Sequence, residues 1–578
     1  MYILGLNAFH ADSSAALLKD GKLLVATEEE RFTRVKHWAG FPMEAIRFCV
    51  REEGIQLKDI DYITIGRDPK AKLFKKIALL IQNPSLLSNI KERLNNQSKV
   101  TDLKTHLFSI DGSLDPLSIK KRLMKLEHHR SHLASAFYAS PFEEAAVMSI
   151  DGSGDFSTTM VATGKGIELK VLDSVDFPVS CGLFYTAFTQ YLGFPHYGDE
   201  YKVMGLAPYG DPKYTDEIRK VIQLLPNGLF TWDQSYFVHP TKAGFHYEDN
   251  IPHVGSLYSN KFIAAFGPTR SKEEPLSQYH KDLAASVQKV CEELIFHVAA
   301  HLKKKTGLEN LCVAGGVAQN SVANGKLADA TGFKQVYIPS AGHDAGISMG
   351  SAMYAYHHIL GHPRVAPVYS AYTGAKYTND EIEAMLQAKG IEYTRYDDET
   401  LYDIVTDQLI APGVVGWFSG RAEFGPRALG GRSILADPRN NQAKELLNLK
   451  IKRRESFRPF APSILKEYVG EYFTKTDEVP FMEKVFPIRP EKRAQIPAVT
   501  HVDGTGRLQT VDKTISPRYY ALINKFREKT GVPILLNTSF NENEPIVNTP
   551  EEALNCYLRT SMDMLVLENC VITREPNH

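Results

Sequence analysis

The stretch from Tyr2 to Glu30, YILGLNAFHADSSAALLKDGKLLVATEEE, alternates apolar runs with short polar turns. That pattern predicts a strand, a small polar turn, a second strand (SSAALL), a Lys-Asp-Gly-Lys hairpin and a third strand. The stretch from Ala145 to Val175, AAVMSIDGSGDFSTTMVATGKGIELKVLDSV, repeats the order, with its hairpin at Gly164-Lys165-Gly166. The two sequences differ while their layouts match. The prediction is a duplicated three-strand unit, each copy with an acidic turn after its first strand, giving two related subdomains that face one cleft.

Helical spacing of apolar residues is expected over Ala71 to Asn96 and over Leu117 to Ala139. A long amphipathic helix follows from His280 to Lys305. Two strand–turn–helix units come next, NLCVAGGVAQNSVANGKLADA and QVYIPSAGHDAGISMGSAMYAYHHI. Residues 361–378, GHPRVAPVYSAYTGAKYT, read as a linker because proline, glycine and short polar residues replace the periodic pattern. Beyond it, DEIEAMLQAKG, VVGWFSG, ILADPR, PILLNTSF and DMLVLENCVITR alternate helix and strand afresh. The reading is an α/β chain of two domains, 1–360 and 379–578, joined by that linker.

Composition narrows the function classes. The 578 residues are 43% hydrophobic and 23% charged, as expected of a soluble globular protein. Formal net charge is -1, so the balance of charge favours neither nucleic acid nor an anionic membrane as partner. No secretory signal or apolar run of spanning length is seen, and a cytoplasmic protein is expected. The six cysteines (Cys49, Cys181, Cys291, Cys312, Cys556 and Cys570) are scattered without a CxxC pair, which predicts buried reduced thiols.

The candidate chemistry begins at LEHHRSHLASAFYAS, residues 126–140. His128 and His132 are four apart, so on a helix they share a face and could grip one divalent metal; a solvated polar helix start is the alternative. Asp151, in the DGSGD turn, and Asp344, in AGHDAG, add a carboxylate each. Two histidines and two aspartates suit iron(II), manganese or zinc. The Gly315-Gly316-Val317-Ala318-Gln319-Asn320 turn lies between a strand and a helix, where glycines permit close approach of a nucleotide. In the last third, Arg427 (EFGPRALG), Arg458 (FRPFAP) and Arg507 (DGTGRLQ) sit among Gly, Pro and Phe, as candidates for a bidentate grip on phosphate. Asn537, Thr538 and Ser539 follow the strand PILL, where amide and hydroxyl groups could orient a phosphate. The run Lys450 to Arg454 (KIKRR) reads as a solvated helix end.

These motifs, with FHADSSAALL, EEERFTRVKH, EYKVMGLAPYG and LLNTSFN, resemble the NodU-type O-carbamoyltransferases along essentially the whole chain. The first half is also similar to the tRNA threonylcarbamoyladenosine-forming ATPases of the actin/Hsp70/hexokinase fold, and the last 200 residues resemble a YrdC-like domain. The resemblance places a metal site, iron(II) first, on His128, His132, Asp151 and Asp344. It implies that Arg427, Arg458 and Arg507, with Asn537 and Ser539, hold carbamoyl phosphate and ATP (the latter with magnesium) to form carbamoyl adenylate. The adenylate would then lie against Lys36, Gly316 and Asn320. His10 would take the proton of a small-molecule hydroxyl acceptor, and Asp12 would orient His10 or hold the acceptor.

Other classes fit less well. A metalloprotease would need the glutamate of HExxH beside its ligand histidine, which HHRSH lacks. A tRNA-modifying enzyme would be expected to carry a basic stripe. A sugar-kinase-like scaffold leaves the C-terminal arginines without a purpose, and a nucleophilic role for Cys181 has only its glycine-rich turn in its favour.

Overall fold

The computed structural model describes residues 1–82, 103–112, 114–238 and 245–574, so the second half of the helix expected over residues 71–96 lies outside the described residues. The chain forms two compact units, Met1–Val368 and Tyr369–His578.

The first unit holds two five-stranded sheets. Strands β1 (Tyr2–Asn7), β2 (Ser14–Lys19), β3 (Lys22–Glu28), β4 (Tyr62–Ile65) and β5 (Leu123–Lys125) run in the order β3-β2-β1-β4-β5. The β1–β2 and β2–β3 pairs are antiparallel, and β4 joins β1 and β5 in parallel. Strands β6 (Glu144–Gly154), β7 (Ser157–Lys165), β8 (Glu168–Asp176), β9 (Asn310–Ala314) and β10 (Gln335–Tyr337) repeat that order and those senses as β8-β7-β6-β9-β10. The duplicated layout is therefore real and extends to all five strands of each sheet. These doubled mixed sheets are the α/β layout expected for this half. Residues 2–7 of β1 are buried almost throughout, as a central strand covered on both faces requires.

Helices α1 (His128–Ala139), α2 (Cys181–Tyr191), α3 (Gln278–Thr306), α4 (Ser321–Thr331) and α5 (Gly346–Tyr354) position the site. The small residues of α1 and α5 let the two helices pack almost backbone to backbone. A Cβ on Gly350 would lie 1.9 Å from the Ser131 carbonyl oxygen, and one on Gly5 of β1 would lie 1.9 Å from that of Ser348.

Two expectations need correction. Residues 117–139 are not one helix: Pro116–Arg122 is helical, then Leu123–Lys125 pairs with Ile63–Ile65 as an edge strand before α1 begins. The apolar Leu123 and Met124 suit either state, and pairing with β4 decides. Nor does a turn begin at Asp151. Strand β6 runs through it to Gly154, and the chain reverses at Asp155 and Phe156, with φ of 50° and 82°.

The stretch 361–378 is divided between the units. Arg364 donates to the carbonyls of Phe137, Tyr138 and Ser140 at the end of α1, at 2.9, 3.3 and 2.7 Å. Tyr372 pairs instead with Glu423 of the second unit.

That unit is built on an eight-stranded sheet. Its strands are β11 (Thr394–Arg395), β12 (Val415–Phe418), β13 (Arg432–Ala436), β14 (Ala461–Leu465), β15 (Gln509–Val511), β16 (Ile534–Ser539), β17 (Met564–Leu567) and β18 (Cys570–Thr573). They run in the order β11-β18-β17-β12-β13-β16-β14-β15. Among the described residues no helix is long and apolar enough to cross a membrane. All six cysteines are buried and unbridged, Cys181 facing Cys291 with sulfurs 3.8 Å apart.

Candidate functional site

Helix α1 is started by Glu127, whose side chain accepts the Arg130 N–H. That start places His128 and His132 one turn apart, both buried. Strand β6 delivers Asp151, and the turn before α5 delivers Asp344. His128 Nε2 lies 3.0 Å from Asp151 Oδ2 and 3.7 Å from Asp344 Oδ1. His132 Nε2 lies 3.7 Å from Asp151 Oδ2 and 3.3 Å from Asp344 Oδ1. The four donor atoms all fall within 4.8 Å of one another. His129, the third histidine of the cluster, turns away to Ser149, its Nδ1 2.8 Å from the hydroxyl.

The donor set fits a divalent cation. His132 Nε2 and Asp344 Oδ1 are buried and have no hydrogen-bond partner, although both point into the cluster. Burial lowers the His132 pKa, but the carboxylates of Asp151 and Asp344 facing its Nε2 win and lift it to about 9. Burial would raise Asp151 and Asp344; neighbouring histidines hold both below the ordinary carboxylate value.

Neighbouring backbone fixes these ligands. Gly316 donates its N–H to Asp151 Oδ1 at 2.9 Å, and a Cβ there would sit 2.7 Å from that oxygen. Asp155 accepts the His128 N–H at 3.0 Å and the Asp68 N–H at 2.6 Å. A Cβ on Gly154 would run into the His128 ring at 2.1 Å. The glycines of DGSGD thus make room for ligands.

His10 is at the same centre, its Nδ1 2.6 Å from Asp344 Oδ2. Burial lowers its pKa, the Asp344 charge and hydrogen bond raise it, and the net is upward. Asp12, at φ 56°, does not reach His10 but pairs with His37, Oδ1 to Nδ1 at 2.8 Å. Lys36 is exposed next to His37. Asn320 is the N-cap of α4, accepting the Ala323 N–H at 3.1 Å, while its amide group exchanges hydrogen bonds with Gln288. Gly316 therefore has a direct tie to the candidate metal cluster, whereas Asn320 is committed to its helix.

In the second unit the loop EFGPRALGG is pinned from within. Glu423 Oε1 accepts the N–H groups of Leu429, Gly431 and Arg432 at 2.6, 2.7 and 3.3 Å. Arg427, on that loop, joins Arg458 and Arg507. Burial and then the charges of Arg427, Arg454 and Arg458 drive the Arg507 pKa well down, and its buried Nε has no partner. Such a cluster of like charges calls for an anion. Asn537 donates to Ala428 O, Ser463 Oγ and Gln509 Oε1 at 3.2, 3.0 and 3.3 Å, leaving its buried Oδ1 unpaired.

The KIKRR run is a correction. Lys452 is 1% exposed and donates to Ser539 Oγ at 3.3 Å and to Asn541 Oδ1 at 2.7 Å. Arg454 belongs to the arginine cluster. The run does end a helix, Leu447–Lys452, but Ile451 and Lys452 both lie buried while Arg453 is exposed. Sequence reasoning also missed Tyr197 and Tyr247, which feel the charges of Asp12 and Asp344; neither belongs to a motif.

Comparison with known proteins follows the same division. Residues 2–353 match the family model described as Carbamoyltransferase N-terminus, and residues 406–574 match Carbamoyltransferase C-terminus. An uncharacterized Synechocystis protein is 43% identical, covering 99% of this chain and 97% of that protein. Nodulation protein NolNO of Sinorhizobium fredii is 39% identical, covering 98% of this chain and 80% of its own. Nodulation protein NolO of Bradyrhizobium diazoefficiens is 40% identical, covering 78% and 79%.

Proposed function

The chain belongs to the carbamoyltransferase family, and from that premise we propose a two-stage reaction divided between its two units. In the second unit, ATP and carbamoyl phosphate form carbamoyl adenylate, with release of phosphate and pyrophosphate and uptake of one water. In the first, the carbamoyl group passes to a hydroxyl of a small molecule and AMP departs. The observation that carries this reading is the buried Arg507 Nε, left without a partner among Arg427, Arg454 and Arg458. Several guanidinium groups in one place match the charge of two phosphate-bearing substrates.

Arg507 and its neighbours would neutralise the phosphates, Asn537 Oδ1 would accept from the carbamoyl amide, and Lys452 would hold Ser539 and Asn541 toward the same ligands. This assignment is in keeping with the YrdC-like resemblance of the second unit. In the first unit, His128, His132, Asp151 and Asp344 would hold a divalent cation, whose chemistry is Lewis acidity toward a phosphate or carbonyl oxygen. Asp344 Oδ2 fixes His10 through Nδ1, which leaves Nε2 to take the acceptor's hydroxyl proton as the new C–O bond forms. Gly316 holds Asp151 by its N–H, and the adenylate would lie beside it.

The test is product analysis. Purified protein given ATP should release AMP and pyrophosphate only when carbamoyl phosphate is present, and without any tRNA. Products that appear without carbamoyl phosphate, or only with tRNA, would reject the reading.

A further inference from the structure

The loop from His501 to Arg507, HVDGTGR, carries two buried nitrogens without partners, His501 Nε2 and Arg507 Nε. Its backbone closes on itself: His501 donates its N–H to Thr505 O at 2.8 Å, and Gly504 donates to His501 O at 2.9 Å. Gly504 sits at φ 79°, and a Cβ there would lie 2.3 Å from the Arg493 guanidinium carbon. Thr505 and Gly506 pair antiparallel with Phe486 and Pro487, which fixes the second half of the loop.

These neighbours assign the tautomer of His501. Thr505 Oγ1 donates its single proton to Asp503 Oδ1 at 2.7 Å. The same oxygen lies 3.1 Å from His501 Nδ1, so it accepts there and Nδ1 carries the ring proton. Nε2 keeps its lone pair, buried and without a partner. Burial pushes the His501 pKa down to about 4, with Asp503 opposing and Arg507 and Lys444 adding to the fall. The ring is therefore neutral at neutral pH. Phosphate charges held nearby would favour the imidazolium and bring that pKa toward the working range of a base.

His501 borders the arginine cluster. Ala443–Leu446 packs against Pro497–Val499, just ahead of the histidine, and the chain stays helical on to Lys452. On that stretch Asn448 accepts from Arg454 Nε at 2.8 Å. One helical run thus touches both the approach to His501 and the cluster. Guanidinium and ammonium groups only donate, and Asn537 offers a neutral amide. Glu455 is engaged by Arg458, whose Nη1 lies 3.6 Å from its Oε2. Forming carbamoyl adenylate from carbamoyl phosphate and ATP consumes one water, and its proton needs an acceptor.

We propose that His501 Nε2 is the general base that turns this water on carbamoyl phosphate. The water oxygen bonds to the carbonyl carbon as its proton passes to Nε2. The bond from that carbon to the phosphate oxygen then breaks, and phosphate leaves with the electron pair, its charge met by the arginines. Carbamate remains. Its oxygen attacks the α-phosphorus of ATP, and pyrophosphate leaves. This inference rests on the two-stage reading above and adds the residue that starts the first stage.

The experiment gives the full-length protein ATP with either carbamoyl phosphate or fresh ammonium carbamate, and follows pyrophosphate release, with sodium bicarbonate as the blank. Wild type should release pyrophosphate with both. His501→Asn keeps a side-chain N–H for Thr505 Oγ1 and lacks Nε2. It should lose about a hundredfold or more with carbamoyl phosphate and stay within about threefold of wild type with carbamate. A merely structural role would not give that split, and His501→Gln should show it too. Loss with both substrates in both variants, or with neither, would overturn the role of His501. Wild-type release with carbamoyl phosphate but not with carbamate would overturn the carbamate step while leaving the two-stage reading intact. No wild-type release with carbamoyl phosphate would reject that reading, and this inference with it.

Discussion

Asp344 divides its carboxylate between two tasks: Oδ2 lies 2.6 Å from His10 Nδ1, while Oδ1 faces His132 Nε2 at 3.3 Å. One side chain thus joins the proposed metal cluster to the histidine proposed as base. Asp344→Asn should damage both. Metal occupancy, read by elemental analysis, should fall severely, because a neutral amide is a poor substitute for a carboxylate ligand. His10→Asn should keep the metal and lose about a hundredfold or more in transfer. If His10→Asn transfers normally, the residue is structural.

His132→Ala should remove the ion while the fold persists, since its Nε2 makes no hydrogen bond that the protein needs. Retained full occupancy in both His132→Ala and Asp344→Asn would discard the metal assignment.

A subtler ligand test is Gly316→Ala. The added Cβ would meet Asp151 Oδ1 at 2.7 Å, so either the carboxylate or the Gly316 N–H bond must shift. Metal affinity should drop by roughly tenfold or more, the usual effect of losing a group that orients a ligand. Equilibrium dialysis of the two proteins would show it.

The pair of Asp12 and His37 sets a pH dependence of stability. Burial lowers the His37 pKa, but Asp12 and then Glu30 raise it to about 9 from the ordinary 6.5, with Lys36 opposing and the Tyr197 ring packed against it. A raised histidine pKa contributes stability fully below 6.5 and loses it as pH climbs through about 9. Asp12, held below its ordinary 3.8 by His37 against the effect of burial, contributes above that value and loses it in acid. The melting temperature of the first unit should therefore sag between pH 7 and 10, on the order of the span of one titration. His37→Gln should flatten that limb. Parallel profiles for the two proteins would show that the pair carries no such coupling.

Much of this architecture was readable in the chain. The alternation in Tyr2–Glu30 and Ala145–Val175 foretold both three-strand ribbons, because strand period and turn residues are local signals. The four residues proposed as ligands were legible because HxxxH and two acidic motifs each carry donor atoms, and the fold brings those atoms within 4.8 Å of one another. What stayed hidden depends on tertiary contact. Leu123–Lys125 becomes a strand only because β4 lies beside it. Lys452 and Arg454 looked solvated because burial of a charge is decided by Ser539, Asn541 and Arg507, far away in sequence. Tyr247 is invisible without the fold, as the charges of Asp12 and Asp344 that it feels come from opposite ends of the first unit's sequence.

The most direct test of the two-stage account is the pyrophosphate burst on mixing ATP and carbamoyl phosphate with three proteins: wild type, His132→Ala and Arg507→Ala. No acceptor is needed, so only adenylate formation is read. His132→Ala should burst within a few-fold of wild type, and Arg507→Ala should lose about a hundredfold or more, as expected when a group that neutralises transition-state charge is removed. A burst that vanishes in His132→Ala while surviving in Arg507→Ala would contradict the assignment of activation to the second unit.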